Sequence, residues 1–124
     1  MTVDPRTDVT DARELRALWT GVLLAPIAFL LDLEVAYALV PIACSTSNQL
    51  PVHLSHLACL LLTLFGGLTA LRCWRLTGST WPGEAGDPLA RSRFLAGLGM
   101  LLSGFVVLVI IAMWIPSFIL DPCQ

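Results

Sequence analysis

The fold of this chain is decided by residues 94–115, which read FLAGLGMLLSGFVVLVIIAMWI and contain no charged side chain. As a helix this stretch extends about 33 Å, which is enough to cross a hydrocarbon core of about 30 Å. Two further apolar stretches of similar length occupy residues 18–40 and 52–74. Only helices and closed barrels satisfy their own backbone in lipid, and no alternating strand pattern is present. The sequence therefore predicts an all-α, integral membrane three-helix bundle.

The composition agrees with a chain that lies mostly in lipid. Of the 124 residues, 56% are hydrophobic and 13% are charged, and the mean hydropathy is +0.80. Such a chain has too little polar surface to coat a soluble globule. The net charge is −2, and no basic patch with interleaved aromatic residues is present, so nucleic acid is not a predicted partner. The predicted partner is the lipid bilayer.

The cationic side chains, all of them arginine, are distributed asymmetrically about the three predicted spans. They precede the first span or lie at or between the ends of the second and third: Arg6, Arg13, Arg16, Arg72, Arg75, Arg91 and Arg93. Arginine next to a span stays on the cytoplasmic side, so we expect the N-terminus in the cytoplasm and the C-terminus on the outer face, which is the periplasm if the membrane is a bacterial inner membrane. The predicted division is a cytoplasmic tail (1–17), transmembrane helices (18–40, 52–74 and 94–115), a periplasmic loop (41–51), a cytoplasmic loop (75–93) and a periplasmic tail (116–124).

The first span is interpreted as an uncleaved helix. A secretory signal has a shorter apolar stretch and would not carry Asp32 and Glu34 inside it. A lipoprotein signal ending at Cys44 is an alternative, although Pro41 stands where an aliphatic residue is expected. Because proline favours helix boundaries, we expect Pro41 to end the first helix and Pro51 to begin the second.

The four cysteines divide by depth. Cys44 and Cys123 flank the membrane on the predicted outer side, whereas Cys59 and Cys73 lie within the second span. Only the first two share a compartment in which disulfides persist. The sequence therefore predicts a Cys44–Cys123 disulfide, and the alternative is that both remain free thiols that bind copper.

Small residues recur on one face of each span. Helices in lipid associate by close backbone approach, so small side chains mark the contact faces. The candidate packing residues are Ala28, Ser55, Cys59, Thr63, Gly67, Gly99 and Ser103, with Gly104 beside the last of them. A compact bundle built on these faces needs no ligand.

Two carboxylates lie inside the first span, where acidic groups are costly unless they are protonated, paired or facing a polar cavity. Asp32 shares the small-residue face and is expected to point into the bundle, whereas Glu34, on another side with Tyr37, could meet a partner subunit. In an antiparallel helix pair His56 falls within about one turn of both carboxylates. We expect it to pair with one of them, either as an inert hydrogen-bonded pair or as a site of proton exchange.

His53 and His56 lie three residues apart on roughly one helix face. Together with Met113 they could bind copper, because imidazole and thioether are suitable ligands for it. A b-type haem would need two histidines on facing sides of a cavity, whereas both histidines here lie at the end of one helix. For copper, no third ligand is evident, since Met113 could simply fill the core. No nucleophile–base arrangement or phosphate-binding loop occurs, so the sequence predicts a protein that is not an enzyme.

Two short segments resemble a known group of proteins. Residues 37–44, YALVPIAC, followed by His53 and His56, and the ending 115–123, IPSFILDPC, are similar to small three-span bacterial inner-membrane proteins. Some of these are encoded near genes for haem–copper cytochrome oxidases. The resemblance implies an accessory subunit or assembly helper of such an oxidase, with an outer docking surface around these segments, and it carries over no catalytic residue.

Three functions therefore compete. The first is a non-catalytic accessory or assembly subunit of a respiratory membrane complex, most simply a cytochrome oxidase. The second is a membrane protein that handles copper or haem at the periplasmic face through His53 and His56. The third is a proton-conducting oligomer that uses Asp32, Glu34 and His56.

Overall fold

The computed structural model describes residues 5–76, 88–121 and 123, and every element of secondary structure in this part of the chain is helical. The elements are α1 (Pro5–Thr46), α2 (Leu50–Leu76), α3 (Pro88–Trp114) and the short α4 (Pro116–Ile119). The first three are long and apolar enough to cross a membrane. The prediction of an all-helical chain with three helices of membrane-spanning length is confirmed.

The first helix is longer than the sequence predicts, because neither of its prolines ends it. α1 continues through Pro26 and Pro41 to Thr46, so the expectation that Pro41 ends the helix is wrong. Pro41 lacks the N–H that would bond the carbonyl of Tyr37, but the helix continues past it, and side-chain hydrogen bonds to the backbone form near its end. The hydroxyls of Ser45 and Thr46 both donate to the carbonyl oxygen of Ile42, at 3.0 and 2.7 Å.

The connection between α1 and α2 is only residues 47–49. Ser47 has a φ of 52°, the left-handed conformation that commonly follows a helix end. Asn48 then donates its backbone N–H to the carbonyl of Ala43 and accepts a bond from the backbone of Leu50 through its side chain. Pro51 lies in the first turn of α2, where a missing N–H costs nothing. So short a connection makes α1 and α2 antiparallel neighbours.

Each of the three long helices contacts the other two, and their backbones come close together where small residues face one another. A Cβ added to Gly99 would lie 3.0 Å from the carbonyl oxygen of Gly21 and 3.1 Å from the Cβ of Ala70. Gly21 belongs to α1, Ala70 to α2 and Gly99 to α3, so three backbones converge at this level. We call these three residues the glycine contact.

The buried interior continues from the glycine contact toward the other end of the helices. Its core cluster is Ala25, Cys59, Val106 and Ile110. Of the predicted packing residues, Ala28, Cys59, Thr63, Gly99 and Ser103 are buried, whereas Ser55 and Gly67 are half-buried. Gly104 differs from them, because a Cβ added there would meet nothing within 4 Å. Most leucines lie outside this interior and are exposed on the bundle surface, where lipid would contact them.

A disulfide between Cys44 and Cys123 joins the last turn of α1 to the tail that follows α4, with the two Cα atoms 5.5 Å apart. The predicted disulfide is thus present, and the alternative of two free thiols at these positions is wrong. We call this end of the bundle, which also holds residues 47–49 and α4, the disulfide end. Backbone bonds from Phe118 to Ile115 and from Leu120 to Pro116 turn the chain back over it after α3.

Candidate functional site

A carboxylate and an imidazole form a buried pair between α1 and α2. The Nδ1 atom of His56 lies 2.9 Å from both carboxylate oxygens of Asp32. Asp32 is fully buried and His56 is 4% exposed. Asp32 reaches the interior because it follows Ala25 and Ala28 on the small-residue face of α1. Of the two carboxylates that the sequence offered as partners of His56, the structure selects Asp32.

The pair satisfies both groups at a place where either group alone would be costly. A buried carboxylate without a partner costs several kcal/mol, and a hydrogen bond from an imidazole offsets much of that cost. Because the oxygens of an ionised Asp32 can only accept, the Nδ1 atom of His56 carries the shared proton. The Nε2 atom of His56 then remains available for another hydrogen bond.

His53 lies one turn before His56 and is held by two aromatic side chains. The indole Nε1–H of Trp114 donates to the Nδ1 atom of His53 at 2.8 Å. The ring of Phe118 stacks on His53 with the centroids 4.7 Å apart and the planes inclined by 27°. A neutral imidazole that accepts a bond at Nδ1 carries its own proton on Nε2. His53 therefore presents an N–H donor and no unused lone pair.

Both histidines line one cavity at the disulfide end, with a volume of about 300 Å³. The cavity is partly open and its wall is mostly apolar. Besides the imidazoles it is lined by residues from α1, α2, α3 and the α4 region, among them Ala36, Val52, Met113 and Leu120. This arrangement can accept a small ligand that needs one or two directed hydrogen bonds in apolar surroundings.

The predicted metal site at His53 and His56 stays a prediction, and the observed bonds do not favour it. Metal coordination needs an imidazole lone pair, and at His53 that lone pair is bonded to Trp114. The thiols of Cys44 and Cys123 are consumed by their disulfide. Within residues 5–76, 88–121 and 123, no group of three or more His, Cys, Asp or Glu side chains could hold a metal ion.

Glu34 faces away from the buried pair. Glu34 is exposed, and Tyr37 is 83% exposed. Among the residues that the structure describes, none forms a hydrogen bond or ion pair with the Glu34 carboxylate. The two carboxylates of α1 therefore have separate environments, as their spacing predicts. Glu34 does not join Asp32 and His56 in one site.

Sequence reasoning missed the bond from Trp114 to His53, the stacking of Phe118 and the cavity that these residues border. The available signal was the pair of aromatic side chains at positions 114 and 118, four residues apart beside a proline. Their contact with α2 depends on how the chain turns after α3, which periodicity does not report.

The site is thus a buried polar pair, one member of which, His56, also lines a mostly apolar cavity with a second imidazole at its wall. Its residues come from all parts of the described chain, so no short motif contains them. Comparison of the chain with protein-family models, curated proteins and solved structures finds no significant match.

Proposed function

We propose that this protein is a non-catalytic accessory or assembly subunit of a larger respiratory membrane complex. The observation that carries the proposal is the Glu34 carboxylate, which is exposed on an otherwise apolar helix face and lacks a partner within the described residues. The resemblance of residues 37–44 and 115–123 to proteins encoded beside oxidase genes suggests a haem–copper cytochrome oxidase as that complex.

The surroundings of Glu34 are those of a surface that lipid covers poorly. Ile27, Leu30, Leu31, Glu34 and Tyr37 recur at intervals of three or four and so share one face of α1, and all five are exposed. Glu34 lies 12 residues, or about 18 Å, before the end of α1. Acidic groups at such positions usually face a protein interior or a polar partner.

A carboxylate that faces lipid is costly in free energy. A partner helix would remove this cost by placing a hydrogen-bond donor or a cationic side chain opposite Glu34. Tyr37, one turn further along α1, offers a hydroxyl to the same partner. The leucines around them would supply the apolar contact area. We call the face formed by Ile27, Leu30, Leu31, Glu34 and Tyr37 the Glu34 face, and we propose it as the docking surface.

The disulfide end is proposed to lie in the periplasm of a bacterial inner membrane. Disulfides form and persist in oxidising compartments, and the Cys44–Cys123 bond requires one. The segments at this end, 41–51 and 116–124, lack Lys and Arg, which agrees with the same orientation.

We expect fusions to the full chain to report this orientation. Alkaline phosphatase, which folds in the periplasm, should be active when fused after Gln124, and a fluorescent protein that folds in the cytoplasm should be bright when fused before Met1. The exchanged fusions serve as controls and should both be silent. Activity of the exchanged pair instead would show the opposite orientation and contradict the proposal.

The decisive experiment is recovery of the tagged chain from its native membranes in a mild detergent, followed by an absorption spectrum and mass spectrometry. We expect oxidase subunits and a haem spectrum to accompany the chain. Replacing Glu34 with alanine should lower the recovered partner at least about tenfold, because the carboxylate that the partner is proposed to recognise is lost.

Leu61→Ala is the matched control, since Leu61 is also strongly exposed but lies on α2. This variant should recover the partner in undiminished yield. A monodisperse chain that purifies alone and without haem would contradict the proposed function. Equal recovery by Glu34→Ala and the original chain would contradict the docking surface.

The two other functions remain predictions without a specific observation in their favour. Copper or haem handling would need the His53 lone pair that Trp114 occupies. A proton-conducting oligomer would need Glu34 to meet the Asp32–His56 pair, yet Glu34 lies on the outside of the bundle.

A further inference from the structure

We propose that the cavity at the disulfide end binds the ring of a quinone or its quinol. This inference concerns a ligand site inside the bundle and does not depend on the function proposed for the Glu34 face. It rests on the two imidazoles at the cavity wall, on the groups that hold each of them, and on the rest of the wall, which is apolar apart from Gln49 and Ser117.

The first requirement of a quinone is a hydrogen-bond donor for a ring carbonyl. His53 supplies one, because the bond from Trp114 to its Nδ1 atom fixes the proton of the neutral ring on Nε2. Phe118 stacks on the same ring at 4.7 Å and limits its rotation. The donor is thus positioned before any ligand arrives, which lowers the entropy cost of binding.

The second requirement is a group that can hydrogen-bond a ligand oxygen both when that oxygen is the carbonyl of the quinone and when it is the hydroxyl of the quinol. His56 meets this requirement, because its Nδ1 atom is bonded to Asp32 and its Nε2 atom has no bond to any described residue. As a neutral imidazole it accepts from a quinol hydroxyl, and as an imidazolium beside Asp32 it donates to a quinone carbonyl. His56 is 4% exposed and lines the cavity, so it is buried yet within reach of a ligand there.

The third requirement is an apolar space of the right size that a lipid-soluble molecule can enter. A volume of about 300 Å³ lies at the lower limit of ordinary ligand pockets, which suits one substituted ring. Ala36, Val52, Met113 and Leu120 line it and would contact ring substituents. A haem is too large for this space, and a bare metal ion would leave most of the apolar wall without contact.

The test is a titration of the purified full chain in lipid nanodiscs with ubiquinone-1, a benzoquinone carrying one isoprenoid unit, followed by calorimetry. We expect saturable binding of one molecule per chain that empty nanodiscs do not show. Ala36→Leu fills the cavity without touching a polar group, and His53→Phe removes the donor while keeping an aromatic ring against Phe118. Each should weaken binding at least about tenfold.

Ser55→Ala is the control, because the Ser55 hydroxyl bonds its own helix at the Val52 carbonyl and does not line the cavity. It should bind ubiquinone-1 as the original chain does. Retention of the Cys44–Cys123 disulfide and of the thermal transition will verify that each variant is folded. Heat equal to that of empty nanodiscs, undiminished binding by folded Ala36→Leu, or a phospholipid that ubiquinone-1 cannot displace from the cavity would each overturn the proposal.

Discussion

Replacing His56 with alanine is expected to lower the free energy of unfolding by about 3–5 kcal/mol, because it leaves the fully buried Asp32 without its partner. Asp32 would have to be protonated or draw water into the bundle, and both cost free energy. Unfolding can be measured by titrating the protein from mild detergent into dodecyl sulfate and following its circular dichroism. A loss below about 1 kcal/mol would contradict the view that the pair neutralises a buried carboxylate.

Glu34→Gln is the matched control for this prediction. It changes a carboxylate only two residues from Asp32, but on the exposed side of the same helix. In the isolated protein we expect a change within about 0.5 kcal/mol, as for most surface substitutions. The contrast with His56→Ala would reflect the burial and pairing of Asp32, since Glu34 is a carboxylate on the same helix as Asp32 and at nearly the same depth.

The double variant Asp32→Leu with His56→Leu distinguishes loss of a partner from loss of packing. Replacing both members of a buried ion pair with apolar residues is often neutral or stabilising. We therefore expect the double variant to be more stable than His56→Ala, although it carries one more substitution. Equal or lower stability would indicate that His56 contributes mainly through its contacts with Trp114 and the surrounding side chains.

The three long helices could be predicted from the sequence because apolar length alone decides whether a helix can cross a membrane. The direction of Asp32 could also be predicted, since residues of one helical face recur at intervals of three and four. The ends of the helices were harder to predict. Pro41 favours a helix end in water, but α1 continues past it to Thr46, where the hydroxyls of Ser45 and Thr46 bond back to the helix.

The surroundings of His53 could not be predicted, because they depend on contacts between segments far apart in the sequence. Trp114 reaches His53 across 61 residues, and Phe118 does so only after the chain turns at Pro116. Gly104 illustrates the same limit at the packing level. Its place beside Ser103 suggests a contact face, yet open space surrounds it. A small residue is compatible with close approach but does not prove it.

Replacing Gly99 with leucine is expected to destabilise the bundle by about 3 kcal/mol or more. Its Cβ would already lie 3.0 Å from the carbonyl oxygen of Gly21 and 3.1 Å from the Cβ of Ala70, before the rest of the side chain is placed. Backbone atoms cannot rotate away as a flexible side chain can, so the helices must separate. Overpacking of this kind costs about 1–3 kcal/mol in ordinary cores, and here two neighbouring helices are displaced at once.

Gly104→Leu is the matched control, because it makes the same substitution on the same helix where a Cβ meets nothing within 4 Å. Both variants exchange glycine for the same strong helix former on the same helix, so helix propensity cancels in the comparison. We expect Gly104→Leu to change stability by less than about 1 kcal/mol in the same dodecyl sulfate titration. Since small residues allow helices in lipid to pack closely, a large difference between the variants would locate that packing at the glycine contact. Equal stability of the two variants would mean that the three backbones do not converge there.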